Sequence, residues 1–514
     1  MKNESQAMGH RQVMESLSGL LLALFVALVS STVVSTALPR IIGSLNGTQT
    51  QYTWVVTATL LAATATTPIW GKLADLFNKK TLVQVAIVIF VIGSLLSGFA
   101  QDTGQLIAAR AFQGLGVGGL QALVQVVIAA IIPPRERGRY NGYLGGVLAV
   151  ATVGGPLLGG LIVDVSWLGW RWCFWIAVPL AAIAFVVLQA TLKLETVRRE
   201  NVKIDYLGAA LIAAGVSVLL IWVSFVGNSF AWASWETATM VGAGVVLLGA
   251  AIAVERRVKE PVVPLHIVVQ RTPALAIIAS LAVGVAMFGG SVFLGQYFQI
   301  GRGYSPTEAG LLTIPLLAGV LVSSTISGRM ISRSGKIKPY IVAGTILLVL
   351  GFLGLGFIDH ATPLWEIGVA MAVVGTGVGM SMQNLVLAVQ NGVPLSELGV
   401  ASATITFFRS LGGTIGVSVL GAVLANRVTA DLSTALHVPA GQSTGTTSAL
   451  NLQALPPQVQ TIVHTVYGDA TAHIFMISAA VGVIGIIAAL LLKPITLRTT
   501  MDLEKKDADS VVAR

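Results

Sequence analysis

Long apolar runs, broken at intervals by charges, prolines and glycines, make up most of the chain. Fourteen of them approach the roughly 20 residues that an α-helix needs to cross a bilayer core of about 30 Å. They lie near 17–39, 52–73, 81–100, 105–132, 139–163, 172–192, 205–226, 236–254, 273–299, 307–328, 339–358, 365–393, 398–426 and 471–492. The pattern predicts an all-α integral membrane protein. It is weakest in the two runs around 205–254, where Trp222, Asn228, Trp232 and Glu236 interrupt it. Trp54, Trp167, Trp170, Trp172, Trp232, Trp235 and Trp365 fall at one set of helix ends. That placement reads as an aromatic interface belt rather than as substrate stacking.

Composition agrees. Apolar types make up 55% of the 514 residues and charged types only 10%, against about 25% charged in soluble domains. A disordered chain and an ordinary soluble enzyme are both excluded. The single cysteine, Cys173, excludes a disulfide framework. The net charge of +9 could point to nucleic acid, but its placement decides otherwise. One side of the predicted spans holds Lys72, Lys79, Lys80, Arg135, Arg137, Arg139, Lys193, Arg198, Arg199, Lys203, Arg256, Arg257, Lys259, Arg271, Arg329, Arg333, Lys336, Lys338 and the basic residues of both termini. The other side holds only Arg40, Arg171, Arg302 and Arg427, while Arg110 and Arg409 lie inside spans. By the positive-inside rule the rich side is cytoplasmic, both termini included, and the helix number is even. The expected location is the cell membrane, with no nucleic-acid partner. The first run is too long for a signal peptide and ends in Leu38-Pro39-Arg40, a poor cleavage site, so it reads as a retained helix.

The longest hydrophilic stretches on the basic side, 193–204 and 255–272, bracket the two weak spans. The chain divides as six helices (1–193), a linker with helices 7 and 8 (194–272), six helices (273–492) and a mixed-charge tail (493–514) expected to be disordered. An outer loop, 427–470, carries a short amphipathic stretch from Val459 to Tyr467. Gly71-Lys72-Leu73-Ala74-Asp75-Leu76-Phe77-Asn78-Lys79-Lys80 and Gly328-Arg329-Met330-Ile331-Ser332-Arg333-Ser334-Gly335-Lys336 end the second helix of each six-helix block. The likeness hints at a parallel internal repeat.

These residues resemble the major facilitator superfamily, and within it the fourteen-helix drug:proton antiporters. The Gly71–Lys80 stretch is similar to the helix 2–3 signature Gly-x-Leu-Ala-Asp-x-x-Gly-Arg-Lys, with Asn78 for Gly and Lys79 for Arg. Leu106-x-x-x-Arg110-x-x-Gln113-Gly114-x-Gly116 matches the fourth-helix signature, and Gly155-Pro156-Leu157-Leu158-Gly159-Gly160 the antiporter signature of the fifth. Trp54 to Ala58, Trp170-Arg171-Trp172 and Phe407 to Gly413 are similar to the fourteen-helix branch. The first helix departs: its usual Leu-Asp-x-Thr has Ser30 in place of the Asp. The resemblance implies two six-helix bundles, an inserted helix pair, and efflux of amphipathic small molecules by alternating access in exchange for protons. No cofactor is expected, membrane lipid is the surroundings, and the working unit is a monomer.

Several residues have their own physical reading. Asp75, with Gly71, Lys79 and Lys80 around it, sits where a carboxylate could latch onto the N-terminus of a helix from the other block, and the resemblance implies that this is the helix starting near Leu398. Such a contact exists only with the cytoplasmic side closed, so it favours the outward-open state. Gly155, Pro156, Gly159 and Gly160 can bend helix 5 and let a neighbour approach; packing and hinge weigh equally. Arg110 is a charge inside a span that stays protonated, so it can tune a neighbour or hold an anionic group but not carry the proton. Arg409 follows the same logic, with no evident acid partner. Ser30, Ser31, Thr57, Gln121, Gln125, Gln296, Gln299, Gln383, Asn384 and Gln390 are the polar candidates for lining a cavity. The acids Asp75, Asp164, Asp205, Glu236, Glu255, Glu308, Asp359, Glu366 and Glu397 all lie at span margins. A cavity with positive but no negative charge is expected to favour neutral or anionic amphiphiles over lipophilic cations.

Gly114-Leu115-Gly116-Val117-Gly118-Gly119 fits the dinucleotide fingerprint but lacks a preceding strand, and no phosphate-binding Gly-x-x-x-x-Gly-Lys occurs. The six histidines show no metal spacing. Export of an endogenous metabolite or lipid stays open, as does a membrane sensor, although a sensor needs a large soluble output domain. A membrane enzyme needs a catalytic constellation that the sequence does not contain.

Overall fold

The computed structural model describes residues 10–45, 49–165, 168–192, 205–226, 230–258, 261, 263, 265–394, 397–435 and 457–498. The stretch 193–204, the loop core 436–456 and the tail 499–514 lie outside them, as do Trp167, Asn228 and Lys259. The chain forms α1 (His10–Ser44), α2 (Gln49–Leu76), α3 (Lys79–Phe99), α4 (Thr103–Ile131), α5 (Pro134–Asp164), α6 (Trp172–Trp175) and α7 (Ala177–Thr191). Next come α8 (Tyr206–Phe225), α9 (Trp235–Glu255) and the short α10 (Leu265–Val268). The rest is α11 (Arg271–Gln296) with a π-helical turn Tyr297–Gly301, α12 (Pro306–Leu312), α13 (Ile314–Ser334), α14 (Lys338–Leu355), α15 (Leu364–Gln390), α16 (Leu398–Ala435) and α17 (Pro457–Leu491).

Side chains at the polar breaks set the helix starts. The Asn78 carboxamide accepts from the N–H of Lys80 (2.9 Å) and Thr81 (3.4 Å), capping α3. Its backbone is extended at φ −62°, so this position needs no glycine here. Asp102 caps α4, Ser234 caps α9, and Ser305 with Glu308 forms a capping box on α12.

Eleven helices among the described residues are long and apolar enough to cross a membrane, with Leu207–Val223 as a shorter apolar helix. That is fewer than the fourteen the apolar runs suggest. The 28-residue α2 and the 31-residue α5 have the length. Their threonines, glycines and end charges lower their apolarity. The predicted outer loop also changes. The Val459–Tyr467 stretch continues into α17 as one 35-residue helix, and α16 reaches Ala435. The rest of the loop, 436–456, lies outside the described residues. The first residues of the tail are ordered, contrary to expectation. Leu497 is buried, its N–H donates to the Gly335 carbonyl (2.8 Å), and Lys336 bridges to Thr496.

Packing repeats between the two blocks. In the first, α2 and α3 pack on α4, and α1 on α5 and α7; in the second, α13 and α14 pack on α15, and α11 on α16 and α17. The third helix likewise meets the sixth in both, α3 on α7 and α14 on α17. The blocks join through equivalent pairs, α2 on α16 and α5 on α13. Two of the buried clusters each lie within one block. One is built on Val33, Leu38, Leu106 and Phe174, the other on Phe293, Phe352, Val374 and Phe475. The helices α8 and α9 pack on each other, and α8 also packs on α2 and α16. Ala209, Ile212, Val216 and Leu220 of α8 cluster with Phe407 of α16 and, at the edge, Leu61 and Ile69 of α2.

Candidate functional site

One end of the molecule gathers the contacts that join the blocks. It carries the α2–α3, α4–α5 and α13–α14 turns and most of the described Lys and Arg residues, and is called here the basic end. Asp75, at the last turn of α2, accepts from the backbone N–H of Gly399 (2.8 Å) and Val400 (2.9 Å). These are first-turn donors of α16 with no partner inside their own helix. The approach depends on Gly71, one turn earlier. A Cβ there would lie 2.9 Å from the Gly399 carbonyl oxygen and would collide with the Ala403 methyl. Lys80 turns away, donating to the Gln189 carbonyl at the end of α7 (2.8 Å), and Lys79 is half-buried beside the turn.

Asp75 retains some surface exposure, but its carboxyl is packed about by protein, and that burial pushes its pKa up to about 7. The N–H donors of Val400 and Gly399 and the charges of Lys79 and Lys72 pull the other way and are outweighed. A solvent-exposed aspartate titrates near 4. Burial at the α2–α16 contact therefore favours the protonated carboxyl.

A second contact was not apparent as such in the sequence. Arg137 is buried and donates through Nε to the Ile132 carbonyl (2.7 Å) and through Nη2 to the Ala129 carbonyl (2.6 Å). Its Nη1 crosses to the other block and donates to Gln390 Oε1 (2.7 Å). Gln390 Nε2 then donates to Ser402 Oγ (2.8 Å), and Arg498 donates to the Gln390 and Val393 carbonyls. Burial, with the charge of Arg498, lowers the Arg137 pKa to about 9. In the sequence Arg137 is one of several arginines in a basic turn, and only the fold separates it from its neighbours. Gln390, expected at a cavity wall, is part of this contact at the basic end. Farther in, Gln125 Nε2 donates to Gln383 Oε1 across the blocks (3.1 Å).

A buried polar chain runs through the first block. Arg110 Nη1 donates to Gln113 Oε1, and Gln113 Nε2 donates to Ser94 Oγ (2.6 Å) and, at 3.4 Å, to Ser30 Oγ. The Phe174 ring centroid lies 6.0 Å from the guanidinium carbon, at the outer limit of cation–π contact. Arg110 Nε has no partner. Among the described residues no acid pairs with Arg110 or with Arg409, which is buried with Nη1 unpartnered. Truncation to Gln113→Ala is expected to cost about 1–3 kcal/mol, since it removes Arg110's hydrogen-bond acceptor in a buried site. A drop in the unfolding midpoint of the purified protein in detergent, absent in Gln113→Glu, would show it.

The remaining sequence candidates disperse. Ser31 and Gln121 are half-buried and Thr57 is buried. Asn384 donates to the Met380 carbonyl (2.7 Å) and leaves its Oδ1 unpartnered. Gln296 accepts from the Tyr467 hydroxyl (3.0 Å) near the end remote from Asp75, and Gln299 is exposed in the π turn. Gly114 packs against α2 at Thr59. In α5, Gly155 and Gly159 press on α1: a Cβ at Gly155 would overlap Thr32, whose hydroxyl donates to the Ala151 carbonyl (3.0 Å). Pro156 lies within α5 and Gly160 is half-buried. No group of three or more His, Cys, Asp or Glu side chains able to hold a metal is found among the described residues.

The family model described as Major Facilitator Superfamily matches residues 20–417. An uncharacterized MFS-type transporter of Mycobacterium tuberculosis is 36% identical over 96% of this chain and 71% of its own length. The multidrug transporter protein MdtP of Bacillus subtilis is 34% identical, covering 80% of this chain and 75% of its own. The efflux pump dotC of Dothistroma septosporum is 32% identical, covering 94% and 84%. Among solved structures, the proton:xylose symporter XylE shares the fold, with a TM-score of 0.61, 15% identity, and 94% and 95% of the two chains covered. The chain is a multi-pass, all-helical membrane transporter rather than an enzyme, and it belongs to the Major Facilitator Superfamily.

Proposed function

We propose that this protein is a secondary-active efflux transporter that exports neutral or anionic amphiphiles by alternating access. Fourteen helices span the membrane in a six, two, six division, α2, α5 and α8 completing the set. Both termini and the basic end are cytoplasmic. The repeated packing of the two blocks supports the division. The observation that carries the transport reading is the pair of contacts, Asp75 on α16 and Arg137 on Gln390, that tie the two bundles together at the basic end. Relatives named as efflux pumps support export as its direction.

The substrate preference follows from charge. Arg110 and Arg409 are buried without acids, and Ser30 stands where a carboxylate would otherwise meet Arg110's network. A lone cation in that low-dielectric interior gains no paired charge. Proton coupling then falls to a marginal acid, and Asp75 has the needed behaviour: it binds a proton when the cytoplasmic side is closed and releases it when that side opens. Flux in proteoliposomes tests the proposal. A neutral or anionic amphiphilic dye should be driven by an imposed pH gradient at least several-fold faster than a monovalent cationic dye of similar size. Gradient-driven cation transport that survives neutralising each marginal acid would overturn it.

The pH dependence has a definite sign. The closed-state pKa of Asp75 is about 7 and the exposed value is near 4. Falling pH through 7 therefore favours closure, and rising pH favours opening. Labelling of a cysteine placed on the cytoplasmic face of α16, normalised to an always-exposed cysteine, should increase several-fold from pH 6 to pH 8. Asp75→Asn should flatten that dependence. A slope unchanged by the substitution would assign the titration to another group.

A further inference from the structure

Three helix faces meet in a groove that the closure contacts do not use. Ser18, Leu21, Leu22 and Phe25 of α1 line it, with Tyr143, Gly146, Val147 and Val150 of α5 and Leu321, Thr325 and Arg329 of α13. Each set follows helical spacing, so each is one continuous face. The helices α1 and α5 run away from the basic end and α13 runs toward it. The polar members Ser18 and Arg329 and the amphipathic Tyr143 therefore lie together near the basic end, and Phe25, Val150 and Leu321 lie deeper. The eight residues from Ser18 to Phe25 span roughly 10 Å of helix. The space measures ≈ 720 Å³.

The groove opens sideways. Arg329 adjoins the exposed α13 stripe Val322, Ile326 and Met330, and Val150 is 60% exposed on α5. Such apolar stripes on a membrane transporter face lipid. A Cβ at Gly146 would lie 3.4 Å from the Leu321 side chain, in ordinary contact, so any longer side chain there would fill the floor. Arg329 is exposed and has no ion-pair or hydrogen-bond partner among the described residues. An unpaired guanidinium at the rim, a hydroxyl on either side and an apolar floor below match one ligand chemistry. That ligand has a phosphate at the membrane surface and a hydrocarbon chain running inward.

We propose that this groove binds an anionic phospholipid of the basic-side leaflet, with its phosphate on Arg329 and one acyl chain along α1, α5 and α13. Two walls belong to the first block and the third to the second. The site is complete only while α5 and α13 touch, so its occupant favours the state closed at the basic end. The assignment of that end to the cytoplasmic leaflet rests on the proposed function; binding itself does not.

Native mass spectrometry of the full chain, released from nanodiscs containing equal phosphatidylglycerol and phosphatidylcholine, tests the site without any transport. The wild type should retain phosphatidylglycerol over phosphatidylcholine at least about threefold. Arg329→Gln should abolish the selectivity while still retaining lipid, and Gly146→Leu, which fills the floor, should lose the tightly held lipid altogether. Arg257→Gln, a basic substitution elsewhere, should change neither. Equal retention in wild type and Arg329→Gln would overturn the headgroup assignment. Undiminished retention in Gly146→Leu, with folding confirmed by its thermal transition, would overturn the groove. Glycerol phosphate alone displacing the lipid would show that a soluble anion, not a lipid, is the ligand, and would overturn the proposal.

Discussion

Gly71→Ala is expected to hold the basic end open. Adding one methyl at this position places a Cβ against Ala403 and 2.9 Å from the Gly399 carbonyl oxygen. Overpacking of this kind costs about 1–3 kcal/mol where backbone must move, and here the partner is backbone of α16. In a state with α2 and α16 apart the methyl meets no such neighbour, so the cost falls on closure alone. The closed population should fall roughly 5- to 150-fold relative to open. Folding should not suffer, because alanine is favoured over glycine within a helix by about 1 kcal/mol. Rising cysteine accessibility on the basic face, with an unchanged or higher unfolding midpoint, is the expected pair of results. Lost stability without altered accessibility would show that Gly71 serves packing only.

Ser30→Asp is expected to change which substrates are carried. The Ser30 hydroxyl lies 3.4 Å from Gln113 Nε2, and Gln113 in turn holds Arg110. A carboxylate at this point would compensate Arg110 and give the interior its first deep negative charge. Monovalent cationic dye efflux should rise about tenfold, equivalent to about 1.4 kcal/mol, while anionic substrates lose ground. Adding Arg110→Gln isolates the pairing. The double variant leaves a buried carboxylate alone and should lose about 3–5 kcal/mol of stability relative to Ser30→Asp. Cation transport unchanged in a folded Ser30→Asp protein would contradict the reading that missing negative charge sets the preference.

The sequence showed most of the helices because lipid as solvent forces long apolar runs, and the loop charges gave the ends. It under-described what helices do beyond the bilayer. The Val459–Tyr467 stretch looked separate because its polar residues end the apolar run, yet His464 Nδ1 donates to the Ile300 carbonyl (2.6 Å) and Tyr467 reaches Gln296, so one helix continues. Asp75 and Gly71 were legible because the Gly71–Lys80 stretch resembles a family signature. Arg137 was not, since its three acceptors come from Ala129, Ile132 and the distant Gln390, and only tertiary packing brings the last of these within reach. The glutamines show the same limit. Length and polarity mark Gln125, Gln296, Gln299, Gln383 and Gln390 alike, but the fold sends them to a block interface, an outer helix contact, an exposed π turn and a closure contact.

Alternation between states with the basic end closed and open is tested most directly by the distance between spin labels on the two blocks. Thr81→Cys, at the start of α3, and Lys336→Cys, in the α13–α14 turn, are both exposed there. Cys173→Ala removes the native thiol. In lipid nanodiscs the pair should show two distance populations, with the longer one growing at pH 8, in Gly71→Ala, and when Gln390→Ala removes the acceptor of Arg137. A single distance, unmoved by pH and by both substitutions, would contradict alternating closure at this end.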